Sequence, residues 1–71
     1  MTAFKPKVVV KILKKLGYLP KRQTGSHLIM YHSKKNKIIP IPIHTKDLKK
    51  GLLKGIIKQA ESSEKEFIAL K

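Results

Sequence analysis

Two short breaks constrain this chain more than anything else in it. "TG" (Thr24, Gly25) and "SKKN" (Ser33 to Asn36) separate three strand-like runs, "YLPKRQ", "SHLIMYH" and "KIIPIPI". A parallel connection needs a crossover of a dozen or more residues, and neither break supplies one. The three runs therefore form an antiparallel sheet. In the middle run Leu28, Met30 and His32 share one face, while His27, Ile29 and Tyr31 share the other. In the third run Ile39, Ile41 and Ile43 share a face, and Pro40 and Pro42 fall together on the opposite one. Proline cannot donate to a ladder, so Pro20 argues for an edge position or a strand start, and Pro40 and Pro42 for an edge strand or one that ends early. Asn36 suits a left-handed turn position.

Helical patterns flank the sheet. Pro6 suits the first turn of a helix whose face is Val9, Ile12, Leu13 and Leu16, and Gly17 suits its left-handed C-cap. A second helix is expected from near Asp47, with Leu48, Leu52, Leu53, Ile56, Ile57 and Ala60 as its apolar stripe. Gly51 and Gly55 weaken that helix. Either they allow close packing against the sheet, or Gly51 lies in the first turn and the helix proper starts there. Ser63 and Glu66 form a capping box before Phe67, Ile68 and Leu70, which predicts a short third helix. The fold class is α+β: an α-β-β-β-α order with a three-stranded antiparallel sheet and a short extra C-terminal helix. One helix per face would leave too little core for 71 residues, so the helices cover one face and the other stays open. A single domain spans residues 1–71, with its core over about 6–60 and a helical extension over 62–71.

Charge narrows the function. Seventeen Lys and Arg against four acids give +13, and the acids are Asp47, Glu61, Glu64 and Glu66. Such a field attracts polyanions, with nucleic acid the first candidate. Sixteen of the seventeen cations are lysine, a point charge rather than a base-reading fork, which favours backbone contact over sequence readout. There is no cysteine, which excludes disulfides and thiolate metal sites and fits a reducing cytoplasm. Lysines interrupt the apolar residues of the N-terminal stretch, so neither a signal peptide nor a membrane span is expected there. No two histidines have the i, i+4 spacing of a helical metal site, so no metal or cofactor is expected.

The stretches "TGSHLIMYH", "IPIPIH" and "KDLKKGLLKGIIKQA" together resemble the HicA toxins of toxin–antitoxin systems. The pattern is a Gly-Ser-His turn, a Pro-x-His after the third strand, Asp-Leu-x-x-Gly, and a helix ending Ile-x-Lys-Gln-Ala. Gly25, Ser26, His27, Pro42, His44, Asp47, Leu48, Gly51, Ile56, Gln59 and Ala60 fill those positions. Pro20 and Lys21 depart from the apolar or β-branched residues usual in the first strand. The resemblance implies a fold like the double-stranded-RNA-binding domain and a metal-independent endoribonuclease that cuts messenger RNA. It also implies a HicB antitoxin that covers the catalytic histidine, which by motif position is His27. The free toxin is expected to be a cytoplasmic monomer that does not engage membranes.

RNA cleavage needs a base for the 2′-OH proton, an acid for the leaving 5′-oxygen, and positive charge for the phosphorane oxygens. Imidazole serves either proton role near neutrality. His27 faces away from Leu28 and Met30, on the open face. Lys21 or Arg22, Lys34, Lys35 and Lys37 are candidates for the charge, and Lys49 and Lys50 for phosphate contacts from the second helix. Tyr31 shares the parity of His27 and is the candidate for base stacking. Ser26 is expected to hydrogen-bond the turn and to lie at the RNA surface. His44 is the second catalytic candidate; it could approach the strand-two turn or cap the second helix. His32 reads as partly buried or turn-capping. The alternative to a nuclease is a non-catalytic RNA-binding module of the same fold, and a membrane-active cationic helix ranks behind both.

Overall fold

The computed structural model describes residues 4–43 and 47–71. Helix α1 (Pro6–Lys15) leads into strands β1 (Leu19–Thr24), β2 (His27–His32) and β3 (Lys37–Pro42), then helices α2 (Lys50–Gln59) and α3 (Glu64–Leu70). The strands form one antiparallel sheet in the order β1-β2-β3, as expected. Pro20 lies in edge strand β1, where the pairing with β2 slips between Pro20 and Arg22, leaving Lys21 as a bulge. Pro40 and Pro42 lie in the other edge strand, whose register sets them opposite Ile29 and His27. Both exposed edges are thus short of backbone donors, which blunts strand addition by other chains.

Val9, Ile12 and Leu13 of α1, Met30 of β2, Ile39 and Ile41 of β3, and Leu53, Ile56 and Ile57 of α2 form the buried core. The helices cover one face of the sheet, and the open face carries Leu19, Ile29, Tyr31 and Ile38. Phe4 and Phe67, outside the 6–60 stretch, are also fully buried. Their rings meet edge to face at 6.2 Å, which closes the two ends of the chain over the same core.

Helices α1 and α2 terminate by the same device. Tyr18 N–H reaches Leu13 C=O at 2.8 Å and Gly17 N–H reaches Lys14 C=O at 3.1 Å. Ser62 and Glu61 repeat this on Ile57 and Lys58, both at 3.0 Å. These are Schellman caps, with Gly17 (φ +101°) and Glu61 (φ +57°) in the positive-φ position. Asn36, at φ +51°, takes the left-handed position expected of it.

Helix α2 departs from the sequence reading. It starts at Lys50, not near Asp47: Lys49 is extended, and before it Leu48 is buried with its N–H donating to Phe4 C=O at 2.9 Å. Gly51 therefore lies in the first turn, the second of the two options above. Close packing does not explain either glycine, since a Cβ on Gly51 or Gly55 would meet nothing within 4 Å. Leu52, expected in the buried stripe, is 43% exposed. Helix α3 forms with Ser63 Oγ accepting from Glu66 N–H at 3.1 Å, but the Glu66 carboxylate accepts from the Ser62 hydroxyl. Strand β1 runs one residue later than read, from Leu19, because Tyr18 is committed to the α1 cap and the core.

Candidate functional site

A two-residue turn creates the site. Gly25, at φ +56°, takes the first loop position, as glycine does in type II′ hairpin turns. Ser26 C=O accepts from Ile43 N–H at 2.8 Å, which ties the end of β3 to this turn. His27 opens β2, opposite Thr24 on one side and Pro42 on the other. Its side chain is exposed on the open face, as its parity requires. Ser26 Oγ stands 3.5 Å from His27 Nδ1, at the outer limit of a hydrogen bond.

His27 forms one wall of an open cleft of about 460 Å³, with Pro40, Pro42, Asp47, Leu48, Lys49 and Leu52. Its origin is local. Leu48 is pinned by Phe4 and buried, so its neighbours Asp47 and Lys49 are turned outward. Leu52 follows in the first turn of α2. Lys49, the N-cap, supplies no side-chain hydrogen bond, and no acidic residue lies in the first turn. The start of α2 therefore presents its unpaired N–H groups and two lysines, Lys49 and Lys50, with no acidic side chain within that turn.

The structure brings only some of the candidate residues to His27. Lys49 is at the cleft, and exposed Lys50 is the first residue of α2. Arg22 stands opposite Ile29, on the same face as His27 and one strand over. Tyr31 shares that face but lies four residues along β2, with Lys21 Nζ 4.7 Å from its ring centroid. Lys34, Lys35 and Lys37 lie at the other end of the sheet, about 17 Å away by strand length. There Glu61 holds Lys35 at 3.2 Å and Lys37 at 2.5 Å, and these two cations keep its carboxyl below the usual carboxylate range, Lys37 first. His44 lies outside the described residues.

His32 takes both roles expected of it. It is half-buried, packs its ring edge to face on Tyr18 at 5.0 Å, and accepts Lys35 N–H on Nδ1 at 3.2 Å. Pro40, Pro42 and Leu52 were not singled out as site residues. The signal for the prolines was present, since they and His27 each have open-face parity. Among the described residues no three His, Asp or Glu side chains gather as metal ligands, and no helix is long and apolar enough to cross a membrane.

Two comparisons bear on these residues. A family model described as the HicA toxin of bacterial toxin–antitoxin matches residues 6–61, well over half of the 71-residue chain. That span contains the β1–β2 turn, the cleft and all of α2. No curated protein matches the chain significantly.

Proposed function

We propose a function from one premise: the chain belongs to the HicA toxin family of toxin–antitoxin systems. It is a toxin with an antitoxin as its partner. In the proposed reading it is a metal-independent endoribonuclease acting on messenger RNA in the cytoplasm. His27 takes the proton from a ribose 2′-OH, the 2′-oxygen bonds to phosphorus, and the P–O5′ bond breaks. The imidazolium returns a proton to the leaving 5′-oxygen, and a 2′,3′-cyclic phosphate remains. Lys49 and the start of α2 hold the phosphate and its developing charge, because a helix N-terminus with adjacent lysines attracts anions. Arg22 and Lys50 add backbone contacts on either side.

The observation that carries this reading is the exposure of His27 at the rim of a cleft that also presents Lys49. A HicB-type antitoxin would block it by covering the open face, where Leu19 is 65% and Ile38 51% exposed. The toxin would be monomeric once released. The test is incubation with single-stranded RNA in EDTA, wild type against His27→Ala. Cutting by wild type and a loss of at least a hundredfold in the variant is the expected result. Equal cutting by both removes His27 from the mechanism.

The long Ser26–His27 contact favours a second reading, since a catalytic imidazole is usually oriented by a firm hydrogen bond. In that reading the domain binds RNA without cleaving it. Salt-sensitive binding with intact RNA at all times would establish it.

A further inference from the structure

We infer that the cleft beside His27 is a subsite for one unstacked nucleobase of single-stranded RNA, next to the bond to be cut. The inference rests on the ribonuclease reading and adds a base-binding subsite to it. The 2′-oxygen must approach phosphorus opposite the leaving 5′-oxygen, a geometry that a regularly stacked strand does not hold. The nucleotide has to leave the stack, and its base then needs a surface to replace its lost neighbours.

The cleft offers that surface and little else. Pro40 and Pro42 stand on the sheet side, Leu48 and Leu52 on the helix side, so its walls are mainly apolar. Leu52 is the telling residue. Its place in the helix pattern predicts burial, yet it is exposed and lines the cleft instead. The rim is polar: His27 for the 2′-OH, and Lys49 for the phosphate that must accompany any base entering here. The net charge of +13 draws the same polyanion to this rim. Among the described residues, Asp47 is the one carboxylate lining the cleft. A carboxylate only accepts, so it favours bases that offer an exocyclic amino group over uracil, whose one donor is its ring N3–H.

The experiment uses the full chain with ¹³C-labelled leucine methyls and ¹⁵N-labelled amides. AMP, CMP, GMP, UMP and ribose 5-phosphate, which has the charge but no base, are each titrated to millimolar concentration. Expected are shifts at the Leu48 and Leu52 methyls with the three amino-bearing nucleotides, weaker shifts with UMP, and none with ribose 5-phosphate. Silent methyls with every nucleotide, or equal shifts with ribose 5-phosphate, would overturn the subsite. Equal shifts for all four nucleotides would overturn the role of Asp47. The second arm is Leu52→Ser, which alters an exposed position and should keep the fold. It is expected to raise the KM for single-stranded RNA roughly tenfold, the effect of losing a base contact, at unchanged melting temperature. An unchanged KM overturns the subsite. The methyl shifts need no cleavage, so shifts without RNA cutting defeat the nuclease reading alone, and cutting with silent methyls defeats the subsite alone.

Discussion

Gly17→Ala should destabilise this protein through a histidine that takes no part in the proposed chemistry. Gly17 ends α1 at φ +101°, where a side chain costs about 1–2 kcal/mol. A Cβ there would also lie 2.7 Å from His32 Nε2, closer than real contacts allow. His32 would have to move, giving up its edge-to-face contact with Tyr18 and its acceptance of Lys35 N–H. The first is worth about 0.5–1.5 kcal/mol and the second about 1 kcal/mol. The combined loss is about 2.5–4.5 kcal/mol, a large part of the 5–15 kcal/mol typical of a folded domain. Equilibrium urea unfolding measures it, and the melting temperature should fall by about 15–30 °C. The double-mutant cycle is the decisive control. On a His32→Ala background, Gly17→Ala should cost only the backbone part, about 1–2 kcal/mol. The same cost in both backgrounds would refute the role of His32, and a cost below about 0.5 kcal/mol would refute the whole argument. His32→Ala should still cut RNA under conditions where it is folded. Loss of cutting in a folded His32→Ala protein would mean that the catalytic assignment to His27 is incomplete.

Two further outcomes concern stability. The Tyr18 hydroxyl is buried and finds no hydrogen-bond partner among the described residues, so Tyr18→Phe should raise stability by about 1 kcal/mol in the same urea assay. Lys37 and Lys35 lower the pKa of Glu61, so its contribution is complete above its unfolded value of about 4.3 and is lost as pH falls through the lower folded value. Glu61→Gln should therefore be less stable than wild type at neutral pH and flatter below about pH 4, measured by urea midpoints across that range. Parallel profiles would show that the ion pairs contribute nothing.

Much of this architecture was legible because local rules and the global fold agree. Short turns dictated the antiparallel sheet, and Pro6 and Gly17 bracketed α1. Strand parity sent His27 outward and His32 inward. Misreadings arose where a tertiary contact overrode a local signal. Asp47 is a good N-cap residue, and Leu48 and Leu52 have helical spacing, but Leu48 docks in the core beside Phe4, Lys49 stays extended, and the helix begins at Lys50. Phe4 itself precedes the first helix, outside the 6–60 stretch expected to hold the core, and is as buried as any residue in it. The cleft depends on register: parity puts Pro42 on the face of His27, but only the ladder puts it opposite. Lys34, Lys35 and Lys37 were placed with His27 because both flank the same strand, although its length holds them apart.

That separation gives the two ends of the sheet different work. At the β2–β3 end, Glu61 grips Lys35 and Lys37 and offsets part of their charge, and His32 caps the turn by accepting Lys35 N–H. Glu64 and Glu66 sit in the first turn of α3, where acidic side chains stabilise a helix. Three of the four acids therefore serve structure, and the fourth, Asp47, lines the cleft. At the β1–β2 end the arrangement reverses. Helix α2 begins with lysines, without an acid or a side-chain cap, which its own dipole disfavours. An acidic residue or a serine at position 49 would serve the helix better and would serve an incoming phosphate worse. The same lysines that weaken the start of α2 in the free protein become favourable once a polyanion lies against them. Among the described residues, the protein thus gathers lysines without a paired acid at the end of the sheet where His27 is exposed, and pairs part of its charge at the opposite end.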